Sequence, residues 1–488
     1  MKIILLRVNN LLKKEYLIIS FILFAGLILR LYKIDNPIAD WHSWRQADTA
    51  SVTRIYIKEG INLLFPKYYD ISTTQTKLFN PEGYRFVEFP LYNFIVALIS
   101  KNAYLTLEIW SRLISVASAL ITSYFIFLLG KRFLGYYGGL LASFYYAVIP
   151  FNIYFTRVIL PEPLAICFGT ASLWFFIKFL DSNLNKYLYT TAFFLAIAIL
   201  VKPFILFYSI TMVFLLWEKY GIKGTLKKKK VLIVLLLSIM PFLLWRIWVS
   251  QFPEGVPLWK WIFNEDGIRF KPSFWAWIFG ERLGRMILGI WGTIPFTIGL
   301  IAYKKAKSFL YYFIISMLFY VVIIATANVK HDYYQTMIIP SVSLILSYGT
   351  LTMWNLKKFN ILLTRLLLIF SIVLMFIIGT LQIKEFYKIN RPEIIEAGKR
   401  VSQITSEDAL VIAPYNGDTA FLYQTERSGW PVVDRPIEEL IEKGAKYFVS
   451  VDLNHPQTVE FSKKFKVIER NDKFVIIKLT ELDPNDTN

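Results

Sequence analysis

Cysteine is almost absent from this sequence: Cys167 is the only one, and it lies within an apolar run. A single thiol cannot form a disulfide within the chain, and it cannot build a metal site from several thiolates. Charged residues are also scarce, at 18% of the chain, whereas 56% of the residues are hydrophobic. A composition this apolar, with repeated runs long enough to cross a bilayer, indicates a membrane protein with many spans.

Acidic residues are outnumbered, because 35 aspartates and glutamates face 54 lysines and arginines, for a net charge of +19. Such a surplus can serve nucleic-acid binding, but here the lysines cluster between apolar runs, as in cytoplasmic loops. We interpret the charge as topological and expect no nucleic-acid partner. The segment after the first apolar run offers no cleavage site of small residues, which predicts an uncleaved first helix.

Eleven apolar runs are predicted to span the membrane as helices. They lie near residues 17–32, 107–129, 136–150, 164–180, 187–201, 203–217, 231–249, 284–302, 309–326, 336–353 and 362–383. A cytoplasmic N-terminus places every basic cluster on the cytoplasmic side, in agreement with the positive-inside rule. These clusters are 130–133, 218–230, 304–307 and 356–358.

A further apolar run at 86–100 does not fit this topology, because a full crossing there would move all later lysine clusters to the outer side. The run is short and opens with Glu88 and Pro90, so we predict a re-entrant or interfacial helix on the outer face. The alternative, a genuine span with another run miscounted, stays open.

The composition changes near residue 385. Residues 1–384 are predicted to form the transmembrane domain, with a long outer loop at 33–106, and residues 385–488 an extracytoplasmic α/β domain. In the second part "ALVIAP", "YFVSV" and "FVIIKL" are typical of short strands, and "RPEIIEAGKRVSQI" and "PIEELIEKG" of helices.

Polar chemistry gathers in the predicted outer loops, first in "PIADWHSWRQADTASVTRIYIKEG" at 37–60. Asp48 begins a helical pattern that runs to about Glu59, so we expect its carboxylate near a helix N-terminus. Asp40 and His42 could contribute ligands to a divalent ion, although no cofactor is required by the sequence. The alternative is an interfacial loop whose tryptophans and charges meet lipid headgroups.

Three further outer turns carry ionisable groups. Arg157 and Glu162 flank "VILP" at the start of the fourth span, where charges are costly and usually functional, although a self-satisfied Arg–Glu pair is the alternative. Lys202 lies in a Lys-Pro turn, and His331 and Tyr334 lie in "KHDYYQ". Cations on the outer face suggest a bound anion, whereas a lysine that merely anchors a helix is the other interpretation.

Carboxylates beside cations at the outer surface suit the transfer of a sugar from a lipid phosphate to a hydroxyl group. Such a reaction needs a base for the acceptor proton and positive charge for the departing phosphate. The lipid tail of the donor explains why the site would lie in a membrane.

The chain resembles the GT-C glycosyltransferases, in particular the branch of protein O-mannosyltransferases and lipid A aminoarabinose transferases. The resemblance rests on the order of several motifs along nearly the whole chain. These are "WRQADTA" at 44–50, "EFPLY" at 88–92, "GKRFLG" at 130–135, "TRVILPEPL" at 156–164, the Lys-Pro turn and the C-terminal domain.

The resemblance implies a polytopic helical fold that contacts membrane lipid. It also implies a sugar donor that is linked to polyprenyl phosphate. It maps the catalytic base of the first outer loop onto Asp48 or Asp40, with Asp48 preferred, and the second outer acid onto Glu162, where family members often have aspartate. A lysine near the lipid phosphate corresponds to Lys202. His331 and Tyr334 match an outer turn of the family, and we assign them, with Arg157 and Arg45, to the donor phosphate. Glu88 and His42 are assigned to the acceptor or its loop.

The leading hypothesis is therefore a membrane glycosyltransferase that acts on the outer face with inversion at the anomeric carbon. A transporter or flippase of lipid-linked sugars is the main alternative, and a structural assembly protein is a third. A transporter is expected to show repeated halves, which this sequence lacks to inspection. The sequence does not define the sugar or the hydroxyl acceptor.

Overall fold

The computed structural model describes residues 2–101 and 104–482, with side chains from residue 16 onward. The described residues form two compact units. The first unit takes its residues from Met1–Ile34, Arg112–Trp245 and Trp259–Glu385. The second takes its residues from Asp35–Ser111, Arg246–Leu258 and Phe386–Asn488, so the predicted outer loop groups with the C-terminal part of the chain. The predicted division at 384–385 into domains stays a prediction.

The first unit is helical throughout. Its α-helices are Lys2–Leu31, Leu107–Leu134, Tyr136–Val148, Pro150–Phe155, Glu162–Ser182, Asn185–Val201, Tyr208–Lys227, Lys229–Leu237, Met240–Val249, Trp261–Asn264, Pro272–Trp275, Thr293–Ile301, Ser308–Ile323, Ala325–Lys330, Ile339–Trp354 and Ile361–Ile383. Short 3₁₀ segments are Pro203–Phe207, Glu265–Phe270, Lys305–Lys307, Asp332–Ile338 and Lys384–Tyr387, and Ala276–Ile287 is a π-helix.

Seven of the described helical segments are long and apolar enough to cross a membrane, and the chain is a membrane protein. They are Leu107–Leu134, Glu162–Ser182, Pro203–Lys227, Lys229–Val249, Lys305–Ile323, Asp332–Trp354 and Ile361–Tyr387. Each coincides with a predicted span. The other four predicted spans are not among these seven.

Three of those four runs form short or divided helices. The run at 187–201 becomes helix Asn185–Val201, which is shorter than the seven, whereas the run at 17–32 forms the C-terminal part of helix Lys2–Leu31. The run at 136–150 ends as a helix at Val148, before Pro150 starts the next one. The run at 284–302 is divided between Ala276–Ile287 and Thr293–Ile301, and Gly289 between them has φ 49°.

Burial separates the inner helices from the outer ones. In the most apolar stretch of Asp332–Trp354, 89% of the residues are buried. In Lys229–Val249 and Ile361–Tyr387 the share of buried residues is only 17% each, although the mean hydropathy of these two segments is higher. Apolar side chains left exposed to this extent need a non-aqueous surrounding. The exposed faces of these two helices therefore suit contact with lipid.

Glycine permits the closest helix approach in this unit. A Cβ atom added to Gly349 would lie 1.7 Å from the carbonyl oxygen of Pro295, and one added to Gly299 would lie 2.3 Å from that of Ile345. Membrane helices pack tightly where such small residues face each other. The contact joins Thr293–Ile301 to the buried helix Ile339–Trp354.

The second unit contains a five-stranded sheet. Its strands are β1 (Leu410–Ile412), β2 (Gly429–Trp430), β3 (Ala445–Ser450), β4 (Phe465–Arg470) and β5 (Val475–Leu482), in the order β2-β1-β3-β5-β4. β1 pairs in parallel with β2 and β3, and β5 runs antiparallel to β3 and β4. The α/β fold predicted for this region is confirmed, although β2 and β4 were not predicted.

The second unit also contains helices, four of which pack on the sheet. The helices of this unit are Ser43–Glu59, Leu91–Ser100, Glu393–Ile404, Ala420–Thr425, Ile437–Glu442 and Pro456–Lys464, with a 3₁₀ turn at Pro253–Gly255. Trp430, Phe448, Phe461 and Val475 pack in the main apolar core. Leu91–Ser100 has 10 residues and spans about 15 Å, half the thickness of a bilayer core. This length agrees with the interfacial interpretation of 86–100.

Candidate functional site

Asp48 lies in the second turn of helix Ser43–Glu59, and the first turn of that helix contains no acidic residue. The expectation that Asp48 lies at the helix N-terminus is therefore wrong. The helix starts earlier because His42 adopts a left-handed conformation, with φ 56° and ψ 39°, and turns the chain into it. The side chain of Asp48 is fully buried, so its environment is set by its contacts and not by a helix end.

Three side chains donate to the Asp48 carboxylate. Arg85 Nη2 lies 2.6 Å and Gln75 Nε2 3.2 Å from Oδ2, while Thr419 Oγ1 lies 2.7 Å from Oδ1. The guanidinium of Arg85 also lies 4.9 Å from the centre of the Tyr68 ring. Sequence reasoning missed Arg85 and Thr419, because they are 37 and 371 residues from Asp48 and no local motif connects them.

Two more buried aspartates accompany Asp48. Asp70 accepts a hydrogen bond from the backbone N–H of Ser72 at 2.8 Å, and Asp418 accepts one from the hydroxyl of Ser43 at 2.7 Å. Burial, with a smaller contribution from the charge of Asp48, raises the pKa of each carboxyl to about 6. The region around Asp48 therefore gains negative charge as the pH rises through the value at which these groups ionise.

The remaining ionisable residues predicted as site residues in the first loop also have partners, and two of them, Asp40 and Arg45, are buried. Arg45 forms an ion pair with Glu88, which brings together two of the residues that the sequence singled out. Asp40 accepts from Gln46 Nε2 at 2.6 Å and is 3% exposed. The ring of His42 contacts that of Trp41 at 5.3 Å between centroids.

In the first unit, Lys202 and Glu162 form a buried ion pair. Lys202 Nζ lies 2.5 Å from Glu162 Oε1, and the two side chains are 5% and 1% exposed. Glu162 is the first residue of helix Glu162–Ser182, and Lys202 directly follows helix Asn185–Val201. The negative charge of Glu162 therefore lies at a helix N-terminus and the positive charge of Lys202 at a helix C-terminus, and the helix dipole favours both positions. The predicted alternative paired Glu162 with Arg157, whereas the contact formed is with Lys202.

Aromatic rings surround the lysine of this pair. Lys202 Nζ lies 5.4 Å from the ring centre of Tyr334 and 5.6 Å from that of Phe204. The imidazole of His331 stacks on Tyr334 with 6.2 Å between centroids, so the predicted residues Lys202, Tyr334 and His331 belong to one cluster. Cations in such positions are stabilised by the ring faces.

Arg157 is fully buried and binds backbone. Its Nη1 donates to the carbonyl of Tyr32 at 2.9 Å and to that of Lys33. Tyr32 and Lys33 directly follow helix Lys2–Leu31. These contacts hold the end of the first helix, and a second buried arginine, Arg282, pairs with Asp332. Sequence reasoning missed that second pair because its members are 50 positions apart.

Metal-ligating side chains do not converge in the described part of the chain, where no group of three or more His, Cys, Asp or Glu is arranged to hold an ion. Asp40 and His42, proposed from the sequence as metal ligands, are therefore not joined there by a third ligand of these types. The two polar clusters are instead built from ion pairs and hydrogen bonds.

Part of the chain is similar to a known protein family. Residues 89–248 match the family described as dolichyl-phosphate-mannose-protein mannosyltransferase. No curated protein sequence matches the chain. A crystal structure of ArnT from Cupriavidus metallidurans bound to undecaprenyl phosphate superposes with a TM-score of 0.65 at 12% identity, covering 95% of this chain and 97% of that one.

Two further solved structures show the same architecture. ArnT in the apo state gives a TM-score of 0.63 at 13% identity over 97% of this chain and 98% of that one. The Archaeoglobus fulgidus oligosaccharyltransferase tethered to an acceptor peptide gives 0.59 at 10% identity over 90% and 69%. The chain therefore has the GT-C glycosyltransferase fold, and the resemblance inferred from the sequence is confirmed.

The raised pKa values of Asp70 and Asp418 predict how substitutions respond to pH. A buried carboxyl with a raised pKa binds its proton more strongly in the folded state, so its contribution to stability is largest below pH 4 and is lost as the pH rises through about 6. Asp70→Asn and Asp418→Asn should therefore gain stability relative to the unmodified chain between pH 4.5 and 7.5, by roughly 1 to 3 kcal/mol. Thermal unfolding in detergent across this range measures the gain.

Glu481 supplies a control of opposite sign, because Lys466 and Lys478 lower the pKa of its carboxyl to about 2. Glu481→Gln should lose relative stability as the pH rises from 2 to 4.5 and change little above that. If the aspartate variants follow the unmodified chain at every pH, these carboxyls ionise normally and the proposed origin in burial is incorrect.

Proposed function

We propose that this chain is a membrane glycosyltransferase that moves a sugar from a polyprenyl-phosphate donor to a hydroxyl acceptor, with inversion at the anomeric carbon. The observation that carries the proposal is the buried Lys202–Glu162 pair among aromatic rings, in a chain whose fold matches, over 95% of its length, a transferase crystallised with undecaprenyl phosphate. A buried cation in a membrane protein is costly and usually functional, and an anion such as a phosphate is a suitable ligand for it.

The lysine would act on the leaving group. When the sugar departs, negative charge builds on the phosphate oxygens, and a nearby ammonium stabilises that charge. In the resting protein the charge of Lys202 is balanced by Glu162, so a donor phosphate must compete with this carboxylate for the same cation. Tyr334 lies beside Lys202 and His331 stacks on Tyr334, so both would line the anion site of Lys202. Arg45 and Arg157 stay predicted ligands of the donor phosphate.

This competition predicts opposite effects for the two members of the pair. Lys202→Met removes the cation, so affinity for undecaprenyl phosphate should fall by about 10-fold or more, which corresponds to a charge-assisted contact of roughly 1–3 kcal/mol. Glu162→Gln removes the competing carboxylate at nearly constant shape, so affinity should rise. Equilibrium binding of undecaprenyl phosphate to protein in nanodiscs measures both.

Arg132→Gln serves as the matched control, because Arg132 pairs with Asp181 in the same unit but is exposed. Its donor affinity should not change. Equal losses of thermal stability in both Lys202 and Glu162 variants, with donor affinity unaltered, would instead assign the pair to helix packing.

Acceptor activation requires a base in the first outer loop. A hydroxyl is a poor nucleophile at neutral pH, so a carboxylate that accepts its proton speeds attack on the anomeric carbon. The 2.7 Å contact from the Thr419 hydroxyl to Asp48 Oδ1 has the geometry that an acceptor hydroxyl would need. We therefore propose that Asp48 is the base, with an acceptor hydroxyl taking the position of Thr419 while Arg85 retains Oδ2. Asp40 is the second candidate, and Glu88 and His42 would shape the acceptor loop.

Removing the base should slow turnover without weakening donor binding. Asp48→Asn retains size but cannot accept the proton, so release of polyprenyl phosphate from a polyprenyl-phosphate sugar should fall about 10²–10⁴-fold. Affinity for the donor should stay within a few-fold. The assay also separates a transferase from a flippase, since a flippase moves the donor across a vesicle membrane without releasing polyprenyl phosphate.

Two further aspartate variants serve as controls for this experiment. Asp70→Asn alters a neighbouring buried carboxyl that has no role in the proposed reaction and should keep most activity. Asp40→Asn should be milder than Asp48→Asn. An inactive Asp40 variant beside an active Asp48 variant would transfer the role of base to Asp40, and loss of folding in Asp48→Asn alone would show that its ion pair with Arg85 is structural.

We also propose that the reaction takes place at the outer face of the cytoplasmic membrane, since the lysine clusters between apolar runs agree with that orientation. Asn454 is exposed in the C-terminal region. Asn454→Cys, made in a Cys167→Ala background, should react with a membrane-impermeant maleimide in intact cells. Reaction only after the membrane is permeabilised would reverse the topology.

A further inference from the structure

The segment 219–230 lies where two candidate spans, Pro203–Lys227 and Lys229–Val249, meet, and it is rich in lysine. Six of its twelve residues are lysines and none is acidic. All six are exposed: Lys219, Lys223, Lys227, Lys228, Lys229 and Lys230. Because it joins the ends of two apolar helical segments, the segment lies near the level of lipid headgroups.

The protein supplies little negative charge to these lysines from the neighbouring sequence. Glu218 is the only acidic residue between 182 and 253, and its two carboxylate oxygens lie 2.9 and 2.7 Å from the hydroxyl of Ser308. Asp181, the next acid toward the N-terminus, pairs with Arg132 at 2.9 Å. The lysine charges repel one another, so the segment is suited to an anion from outside the chain.

A break in the helix makes part of the segment amphipathic. Gly221 has φ 69° and ψ 166°, a conformation that is essentially restricted to glycine, and it interrupts the helix that contains it. Beyond the break, Ile222 and Leu226 share one helix face and are 63% and 65% exposed. Lys223 and Lys227 have the same spacing and occupy the adjacent face. The segment therefore presents two apolar side chains beside two cations.

Two further lysines lie over tyrosine rings. Lys228 Nζ lies 4.6 Å from the ring centre of Tyr220, and Lys230 Nζ lies 5.4 Å from that of Tyr189. A ring face attracts an ammonium group and restricts where it lies, and tyrosine is enriched at the membrane interface. These two cations are therefore held beside the aromatic groups that are typical of headgroup depth.

These features narrow the chemical class of the partner. Free phosphate would leave the exposed side chains of Ile222 and Leu226 without an apolar partner, whereas a zwitterionic phospholipid would cover them but has no net charge to match the lysines. An anionic phospholipid meets both requirements, because its phosphate faces the ammonium groups and its acyl chains cover the apolar pair.

We infer that the segment 219–230 is a binding surface for anionic phospholipid at the predicted cytoplasmic end of these two spans. Lysine clusters next to a span are typical of such surfaces, and an adjacent apolar pair strengthens the attachment. None of the residues proposed for sugar transfer belongs to this segment, so the inference does not depend on the proposed function.

Native mass spectrometry of the full chain, titrated with defined lipids in detergent, measures this binding. Phosphatidylglycerol should bind about 5-fold or more tightly than phosphatidylcholine with the same acyl chains, and the preference should shrink as ionic strength rises. Lys228→Gln combined with Lys230→Gln removes the two cations at the tyrosine rings. This double variant should bind phosphatidylglycerol about 10-fold more weakly, with unchanged thermal unfolding and phosphatidylcholine binding.

Lys304→Gln combined with Lys305→Gln is the matched control, because it removes two exposed lysines from another predicted cytoplasmic loop. Its affinity for phosphatidylglycerol should equal that of the unmodified chain. Equal losses in the two double variants would reveal a general effect of net charge and overturn the inference. Equal affinity for the two lipids, or displacement of phosphatidylglycerol by inorganic phosphate at constant ionic strength, would also overturn it.

Undecaprenyl phosphate is itself an anionic lipid, so its binding to the same variants separates this surface from the donor site. The Lys228 and Lys230 double variant should bind it as the unmodified chain does, and Lys202→Met should leave phosphatidylglycerol binding unaltered. Loss of undecaprenyl phosphate binding in the double variant would assign these lysines to the donor and contradict the inference. Unaltered donor binding in Lys202→Met would count against the proposed function alone.

Discussion

The cost of burying charge in an apolar protein is the constraint on which both polar clusters depend. An isolated carboxylate or ammonium out of water is unfavourable by several kcal/mol, so it persists only with a partner. Asp48 meets this requirement through Arg85, and Glu162 meets it through Lys202, each within 2.6 Å. Replacing such pairs by apolar residues often leaves a protein equally stable. Stability alone therefore gives little reason for their presence, which favours a chemical role.

The two clusters satisfy the constraint in different ways. Helix ends and an aromatic ring face stabilise the charges of Lys202 and Glu162. The main partner of each charge is still the other member of the ion pair. Such a pair can be opened by a competing anion. Asp48 is held by three donors from two other segments, and Asp70 and Asp418 stay protonated up to about pH 6 because an additional charge there is costly. That arrangement fixes a carboxylate in one position, which general-base catalysis requires.

Sequence patterns predicted helices and strands, which depend on neighbouring residues, and missed contacts between residues that are far apart in the chain. Hydropathy located the seven long apolar helices found among the described residues, and short apolar runs located three strands of the sheet. The start of helix Ser43–Glu59 was misplaced because it depends on the left-handed backbone of His42, a conformation that histidine adopts only occasionally. Arg85 and Thr419 could not be found, since their contact with Asp48 exists only in the folded chain. Asp40, Arg45, His42 and Glu88 were singled out, yet their roles stay predictions.

The fold itself explains why the acceptor is the hardest part of the function to infer. This chain superposes on ArnT with a TM-score of 0.65 and on an oligosaccharyltransferase tethered to a peptide with 0.59, although identity is only 12% and 10%. One architecture is thus built from chains that share few residues, and acceptor choice must reside in side chains that the architecture does not fix. Because hydrogen-bonding groups discriminate between ligands far more strongly than apolar pockets of similar size, specificity for one class of acceptor would be built from polar side chains and not from the helices that these folds share.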